Sequence, residues 1–486
     1  MNSTKTVSPW AVVSVTTLGA FLANIQSSAL VLALPDVLLS LNSTFETILW
    51  VLLGYLLITT TLVPLIGRLS DRWGRKNLYT LGFAIFTVAS LGAGFSSPQG
   101  HGWDLLAWRL LQGLGGALLI ANSTALVTDA FGKGNTGAPL GVNQMASASG
   151  FILGPLVGGL LTGISWKWVF WINVPLGIVG TLWSLRTLVQ DRGAKETTAF
   201  DLRGTALFMT GLTLFLTAVS FLAVPGSDLR LAGLLGLVGV VLLGVFFRLE
   251  RRSAHPFLHL ELFTNPRLSL PNLSAGLNAL ARGAVLFLLT FYLQGPLGMN
   301  PFMAGLATAP FGVAMLITSP WAGKRADKGH AALLSTGGLL VAALGLLGMS
   351  FVGLHTPYWL LAFEMILIGA GSGLFNTPNI SLIMGRIDAR HRGTVSGTRI
   401  LVTNGGQMLA LAIVFPFVLS RLPVDLMAKI FLYGGGLSSV PAVANNLVQG
   451  IRLAFFFSFI LALAAAAVSL LTYRKHNADS EEVSLS

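Results

Sequence analysis

Gly67-Arg-Leu-Ser-Asp71-Arg72-Trp-Gly74-Arg75-Lys76 decides how this chain is built, lying between one apolar run, 47–66, and the next, 78–96. Glycines at its ends suit tight backbone geometry, and Asp71 can meet a helix N-terminus or an arginine. The cations Arg72, Arg75 and Lys76 suit a membrane face. A degraded copy, Gly323-Lys-Arg-Ala-Asp327-Lys-Gly329, follows a later apolar run. An ordinary positively charged loop is the competing reading, and the partial copy weighs against it.

On both sides of this stretch the chain is apolar. Of 486 residues 53% are hydrophobic and 10% charged, against roughly 25% charged in a soluble domain. About 20 apolar residues cross the hydrocarbon as a helix. Runs of that kind cover 10–34, 47–66, 78–96, 104–127, 137–163, 168–188, 204–224, 231–247, 270–293, 303–321, 332–354, 358–382, 394–419 and 447–473. They predict an all-α membrane protein with 14 transmembrane helices, and the first run, too long for a signal-peptide core, reads as a retained span.

Alternate loops differ in charge. Lys5, the Arg68 to Lys76 group, Lys133, the Arg186 to Arg203 group, the Arg248 to Arg267 group, Lys324, Arg325, Lys328, Arg386, Arg390, Arg392, Arg474 and Lys475 share one side. They number 22, and the other side holds only Lys167, Arg230, Arg421 and Lys429. This asymmetry places both termini in the cytoplasm, and the net charge of +12 needs no nucleic-acid partner to explain it. The spacing of the two charged repeats divides the chain into a six-helix bundle (1–190), an inserted two-helix hairpin (191–260) and a second six-helix bundle (261–486). Duplicated bundles around a midplane site are a common construction of secondary transporters, and 56 glycines allow close helix packing.

Enzyme signals are missing. There is no cysteine, and no P-loop, HExxH or GxSxG motif. Gly132-Lys-Gly134-Asn-Thr-Gly137 matches GxGxxG by chance between two apolar runs, and His255, His259 and His391 fall in charged loops. No cofactor and no metal are expected. The Arg421 to Asn446 segment is the longest loop on the other side, with Leu426 to Tyr433 able to lie as a surface helix.

Through Gly67 to Arg75 the chain resembles the major facilitator superfamily, whose motif A this is. Arg109-Leu-Leu-Gln112-Gly113-Leu-Gly-Gly-Ala on the fourth run looks like motif B. Gly141, Gly150, Gly154, Pro155, Gly158 and Gly159 on the fifth look like motif C, the mark of its antiporter branch. Fourteen runs, Trp50 to Tyr55 leading into motif A, and Asp201-Leu-Arg-Gly204 are similar to the 14-span drug:proton antiporter family of multidrug efflux proteins. Physically, Pro155 removes a helix hydrogen bond, and the five glycines leave a bare face on which a second helix can slide or simply pack. One departure stands out: where the family usually has an Asp in the first span, this chain has Gln26, which cannot carry a proton.

Charges inside spans are costly and default to function. Arg109, Arg282 and Glu364 fall inside runs four, nine and twelve, Arg282 nearest the midplane. The resemblance implies that their helices, with that of Gln26, line the central cavity. Glu364 is then the expected proton carrier, Arg282 its expected cationic neighbour, and Arg109 either a tuner of proton affinity or a helix anchor; a permanently ionised structural pair is the competing reading. Asn24, Tyr55, Asn143, Gln144, Asn278, Asn404 and Gln407 are sparse polar groups for a large apolar substrate cavity, though for any one of them helix-to-helix bonding is the commoner role.

The resemblance implies a monomeric plasma-membrane protein with small-molecule substrates, protons and membrane lipid as partners. Its expected work is proton-coupled export of drugs or other amphipathic organic compounds, with Gln26 and Arg282 favouring neutral or anionic cargo. Transport of one specific metabolite or lipid without proton coupling, and a non-transporting sensor or scaffold, are the alternatives.

Overall fold

The computed structural model describes residues 8–132, 136–189, 202–223, 227–252, 264–299, 301–385, 387–388, 392–419 and 441–485. The expected surface helix at Leu426 to Tyr433, the three loop histidines and the segments flanking the expected hairpin lie outside them.

The described residues form a helical bundle. In chain order its main helices are α1 (Pro9–Ser40), α2 (Phe45–Trp73), α3 (Arg75–Ala93), α4 (Trp103–Phe131), α5 (Gly137–Thr162), α6 (Trp168–Trp171), α7 (Asn173–Thr187), α8 (Leu202–Ala223) and α9 (Leu229–Glu250). Then follow α10 (Pro266–Arg282), α11 (Val285–Gln294), α12 (Pro301–Ala307), α13 (Ala309–Arg325), α14 (Ala331–Met349), α15 (Tyr358–Met384), α16 (Arg392–Leu419) and α17 (Pro441–Leu485). Ten stretches are long and apolar enough to cross a membrane among the described residues. Local chemistry sets the ends: Thr44 accepts from Thr47 N at the start of α2, and Asp228 from Arg230 N and Leu231 N at the start of α9. Two expected single runs are interrupted, at Gly283–Ala284 between α10 and α11 and at Thr308 between α12 and α13.

Gly67 to Lys76, expected as a turn, is mostly helix. α2 continues through Gly67 and Asp71 to Trp73, and the reversal is concentrated at Gly74, whose φ of 89° only glycine adopts cheaply. The copy behaves alike, α13 running to Arg325 and Gly329 turning at φ 89°.

α1 to α7 pack as one group and α10 to α17 as another, while α8 and α9 pair with each other and α8 also rests on α2 and α16. The two groups meet along α5 with α13 and α2 with α16. Where they meet, the backbones nearly touch. A Cβ on Gly141 of α5 would lie 2.8 Å from Ser319 O and 2.9 Å from Pro320 Cα. One on Gly397 of α16 would lie 2.7 Å from Val63 O and 3.1 Å from Pro64 Cα. Each seam therefore sets a glycine against an in-helix proline.

Candidate functional site

The end of the bundle that carries Asp71 and Asp327 is sealed by polar bonds and an apolar plug. The Asp71 carboxylate accepts from Thr394 N and Thr394 Oγ1, both at 2.8 Å, at the N-terminus of α16. Asp327, in the copy, accepts from Gly137 N at 2.7 Å and Ala138 N at 3.1 Å at the N-terminus of α5. Each repeat thus places a carboxylate where the other group's helix presents unpaired N–H groups and the positive end of its dipole. Arg75 donates to Asp71 at 2.7 Å and pairs with Asp129, which also receives Arg392 Nη1 at 3.0 Å.

Beneath these bonds Val13, Val127, Leu140, Leu268, Ile380, Ile383, Met384 and Val395 form one buried cluster drawn from both groups. At the opposite end the large cores are separate, and the groups touch through smaller contacts, Phe302 on Gly159 and Leu411 on Leu49 and Leu53. The large cluster from Ala281 to Ala462 belongs wholly to the second group, and that from Ala29 to Phe170 wholly to the first. The groups are latched and plugged at one end, while at the other they touch without a shared large core.

The motif C glycines divide between two neighbours. Gly150, Gly154 and Gly158, four apart, face α1: added Cβ atoms would meet Phe21 O at 2.8 Å, Ser28 and Ala29 O at 2.6 Å. Gly141 and Gly159 face the second group, at Ser319 and Phe302. Pro155 lies within α5, its side chain outside the described residues. The bare face of α5 therefore seats α1 tightly and also forms part of the joint between groups.

Sequence-predicted site residues fall into three situations. Arg109, 1% exposed, is fully engaged: Nε donates to Val51 O at 3.2 Å, Nη1 to Gln112 Oε1 at 2.5 Å, and its guanidinium lies 4.4 Å from the Tyr55 ring centre. Gln112 passes the chain of bonds on to Ser90 at 2.7 Å. This is an anchor of α2, α3 and α4.

Other residues expected in the cavity face neighbouring helices. Gln26, 1% exposed, receives Asn173 Nδ2 of α7 at 2.5 Å, so it ties α1 to α7 and does not line a cavity in this conformation. Asn143 is bonded to Ser123, and Tyr55 and Asn278 are buried. Asn24, Gln144, Asn404 and Gln407 retain accessible surface, although Asn24 Nδ2 also donates to Ala20 O. The physical reason is economy of buried polar groups: an amide inside the bundle bonds to the nearest helix where it can, as Gln26 Oε1, Asn143 and Asn24 do, while Gln26 Nε2 and the Tyr55 hydroxyl have no partner among the described residues.

Arg282 and Glu364 form no ion pair with each other. Glu364 lies on α15 against α14, where a Cβ on Gly348 would meet its Oε1 at 2.6 Å, and its Oε2 has no hydrogen-bond partner among the described residues. Arg282 lies at the α10–α11 break with Nε unpartnered, as is Nε of Arg399 on α16.

Missed from the sequence were Thr394, Asp129, Arg392 and the Gly397–Pro64 and Gly141–Pro320 contacts. A signal for the last was present: Pro64 precedes Asp71 by seven residues, as Pro320 precedes Asp327. The receiving ends of the carboxylates, Thr394 and Gly137, carry no motif that could have been matched to them.

Known proteins resemble this chain. The chain is 28% identical over 385 residues to the riboflavin transporter RibZ of Clostridioides difficile, covering 79% of this chain and 82% of that one. It is 27% identical over 503 residues to the tetracenomycin C resistance and export protein of Streptomyces glaucescens, covering 96% and 91%. The human organic anion transporter MFSD10 (TETRAN) has the same fold, with TM-score 0.64 at 16% identity over 93% of this chain and 99% of that one. The profile of the Major Facilitator Superfamily matches residues 16–411 and 272–485. With two helical groups, twin carboxylate latches and that match along nearly its whole length, the chain is a multi-pass membrane transporter and belongs to the Major Facilitator Superfamily.

Proposed function

We propose that the chain is a proton-coupled exporter of amphipathic organic compounds, of the 14-span drug:proton antiporter type, working by alternating access. One observation carries this reading: the two groups are latched and plugged at one end while their opposite ends keep separate cores. A structure built that way can exchange which end is joined by rocking along the α5–α13 and α2–α16 seams. The 22 to 4 asymmetry of cations supports a cytoplasmic position for the latched end and both termini, in the plasma membrane. The conformation is then outward-facing. The sequence order supports two six-helix bundles, 1–190 and 261–486, joined by a two-helix insert, 191–260, in a monomer surrounded by lipid.

The motif C glycines on α5 support export, as does likeness to a protein named for resistance and export. Glu364 supports proton coupling, being a buried carboxylate inside a span with neither an ion pair nor a hydrogen bond among the described residues. Each proton entering contributes about 2.3 kcal/mol per 100 mV of interior-negative potential. Transport of a dye panel by purified protein in sealed vesicles tests the reading. A pH gradient should accelerate wild-type flux and leave Glu364→Gln flux unchanged; equal acceleration of both removes Glu364 from the coupling, and no flux at all removes transport.

A further inference from the structure

Among the described residues two arginines on helices of the bundle have no protein group to answer them. Among the described residues Arg282 and Arg399 make neither an ion pair nor a side-chain hydrogen bond, and Glu364, the lone carboxylate deep in a span, is paired with neither. Arg109 differs, its charge being absorbed by Val51 O, Gln112 and the Tyr55 ring. A guanidinium stays protonated in a protein, so it cannot relieve its isolation by shedding charge.

Both side chains are aimed into the bundle. Leu273 of α10 is 52% exposed and marks that helix's outer face. Arg282 follows nine residues later, two and a half turns on, and so points the opposite way. It is nevertheless half-buried, in the middle of the 29-residue span Pro266–Gln294, so its accessible surface is internal. Arg399 is 8% exposed and lies four residues beyond Val395 of the plug, on the stripe of α16 that continues through Val402 and Gly406. That stripe packs on α10, since Cβ atoms on Gly276 and Gly406 would meet Val402 Cγ1 at 2.8 Å and Gly276 O at 2.8 Å. Gly283, beside Arg282, lies against Gln407 in the same way. From these registers the two arginines lie at levels about 14 Å apart along the bundle, at 1.5 Å per residue, Arg399 on the stripe of α16 that meets α10 and Arg282 about 100° round α10 from Gly283.

A helix-stabilising role does not account for them. Gly283 N still donates to Ala279 O at 2.8 Å across the α10–α11 break, and no Arg282 nitrogen takes a carbonyl there. What both lack, among the described residues, is an anion.

We propose that the cargo carries an acidic group, a carboxylate or phosphate, and that Arg282 and Arg399 are its two stations. This rests on the transport reading above and narrows its substrate class to organic anions. Arg282 holds the anion while the latched end is closed. Arg399, shut behind the plug in this conformation, receives it when that end opens.

Fluorescein and its methyl ester, which differ by one carboxylate, test this with the full-length protein. Binding is read by tryptophan quenching and flux in proteoliposomes. Wild type should bind fluorescein at least tenfold more tightly than the ester. Arg282→Gln should abolish that difference, Arg282→Lys should restore part of it, and Arg399→Gln should slow fluorescein flux at least fivefold with binding retained. Equal binding of acid and ester by wild type, or an unchanged preference in a monodisperse Arg282→Gln protein, overturns the proposal whatever the flux. Selective fluorescein binding without flux of any dye upholds the anion site and overturns transport instead.

Discussion

Replacing Asp71 by Asn should release the sealed end. The carboxylate is 10% exposed, and its contact with Arg75 lies within one helical group and survives rocking. The two 2.8 Å bonds from Thr394 N and Oγ1 cross between groups and must break when the end opens. A hydrogen bond to a charged group contributes about 1.5–3 kcal/mol, and the helix dipole adds ~0.3–1 kcal/mol. The substituted amide keeps one neutral acceptor, so a net loss of about 2 kcal/mol from the closed state is reasonable, a shift of roughly 30-fold in the open-to-closed ratio. Asp327 makes the same kind of contact from a more exposed position, so Asp327→Asn should shift the ratio less.

The cysteine-free chain permits a direct assay. Spin labels at Asn77→Cys and His330→Cys, exposed positions on opposite groups at that end, report the closed and open populations as two distances. A change below about threefold for Asp71→Asn, or a larger effect from Asp327→Asn, would refute the argument that burial and helix-terminus bonding hold this end shut.

Other substitutions follow from the same geometry. Gly150→Ala forces a methyl toward Phe21 O and Ile25 N of α1 and should cost about 1–3 kcal/mol, lowering the thermal midpoint in detergent, whereas Gly244→Ala, with nothing within 4 Å, should not. Arg109→Met leaves the buried Gln112 Oε1 and Val51 O without their donor and should destabilise by about 2–4 kcal/mol in the same assay; a neutral result would deny the anchor role. Gln26→Leu removes the shortest of the three acceptors of Asn173 Nδ2, leaving Val169 O and Phe170 O at 3.2 Å, and should cost about 1 kcal/mol; if it altered substrate affinity without altering stability, Gln26 would belong in the cavity after all.

Much of this protein was legible in its sequence because hydrophobicity and charge act locally. A helix in lipid must satisfy its own backbone, so apolar runs announced helices from Pro9 to Tyr473, and the charged repeat announced the superfamily. Gly74 was legible for the same reason, since a residue at φ 89° must be glycine wherever it lies. Side-chain partners were not legible, because each is chosen by a helix distant in the chain. Asp71 needed Thr394, 323 residues away, Gln26 found Asn173 instead of a cavity, and Glu364 and Arg282, placed together by helix counting, were kept apart by which faces α15 and α10 turned toward α14 and α16. Composition and period fix what a segment is, but only packing decides which of its polar groups are satisfied and which remain unanswered.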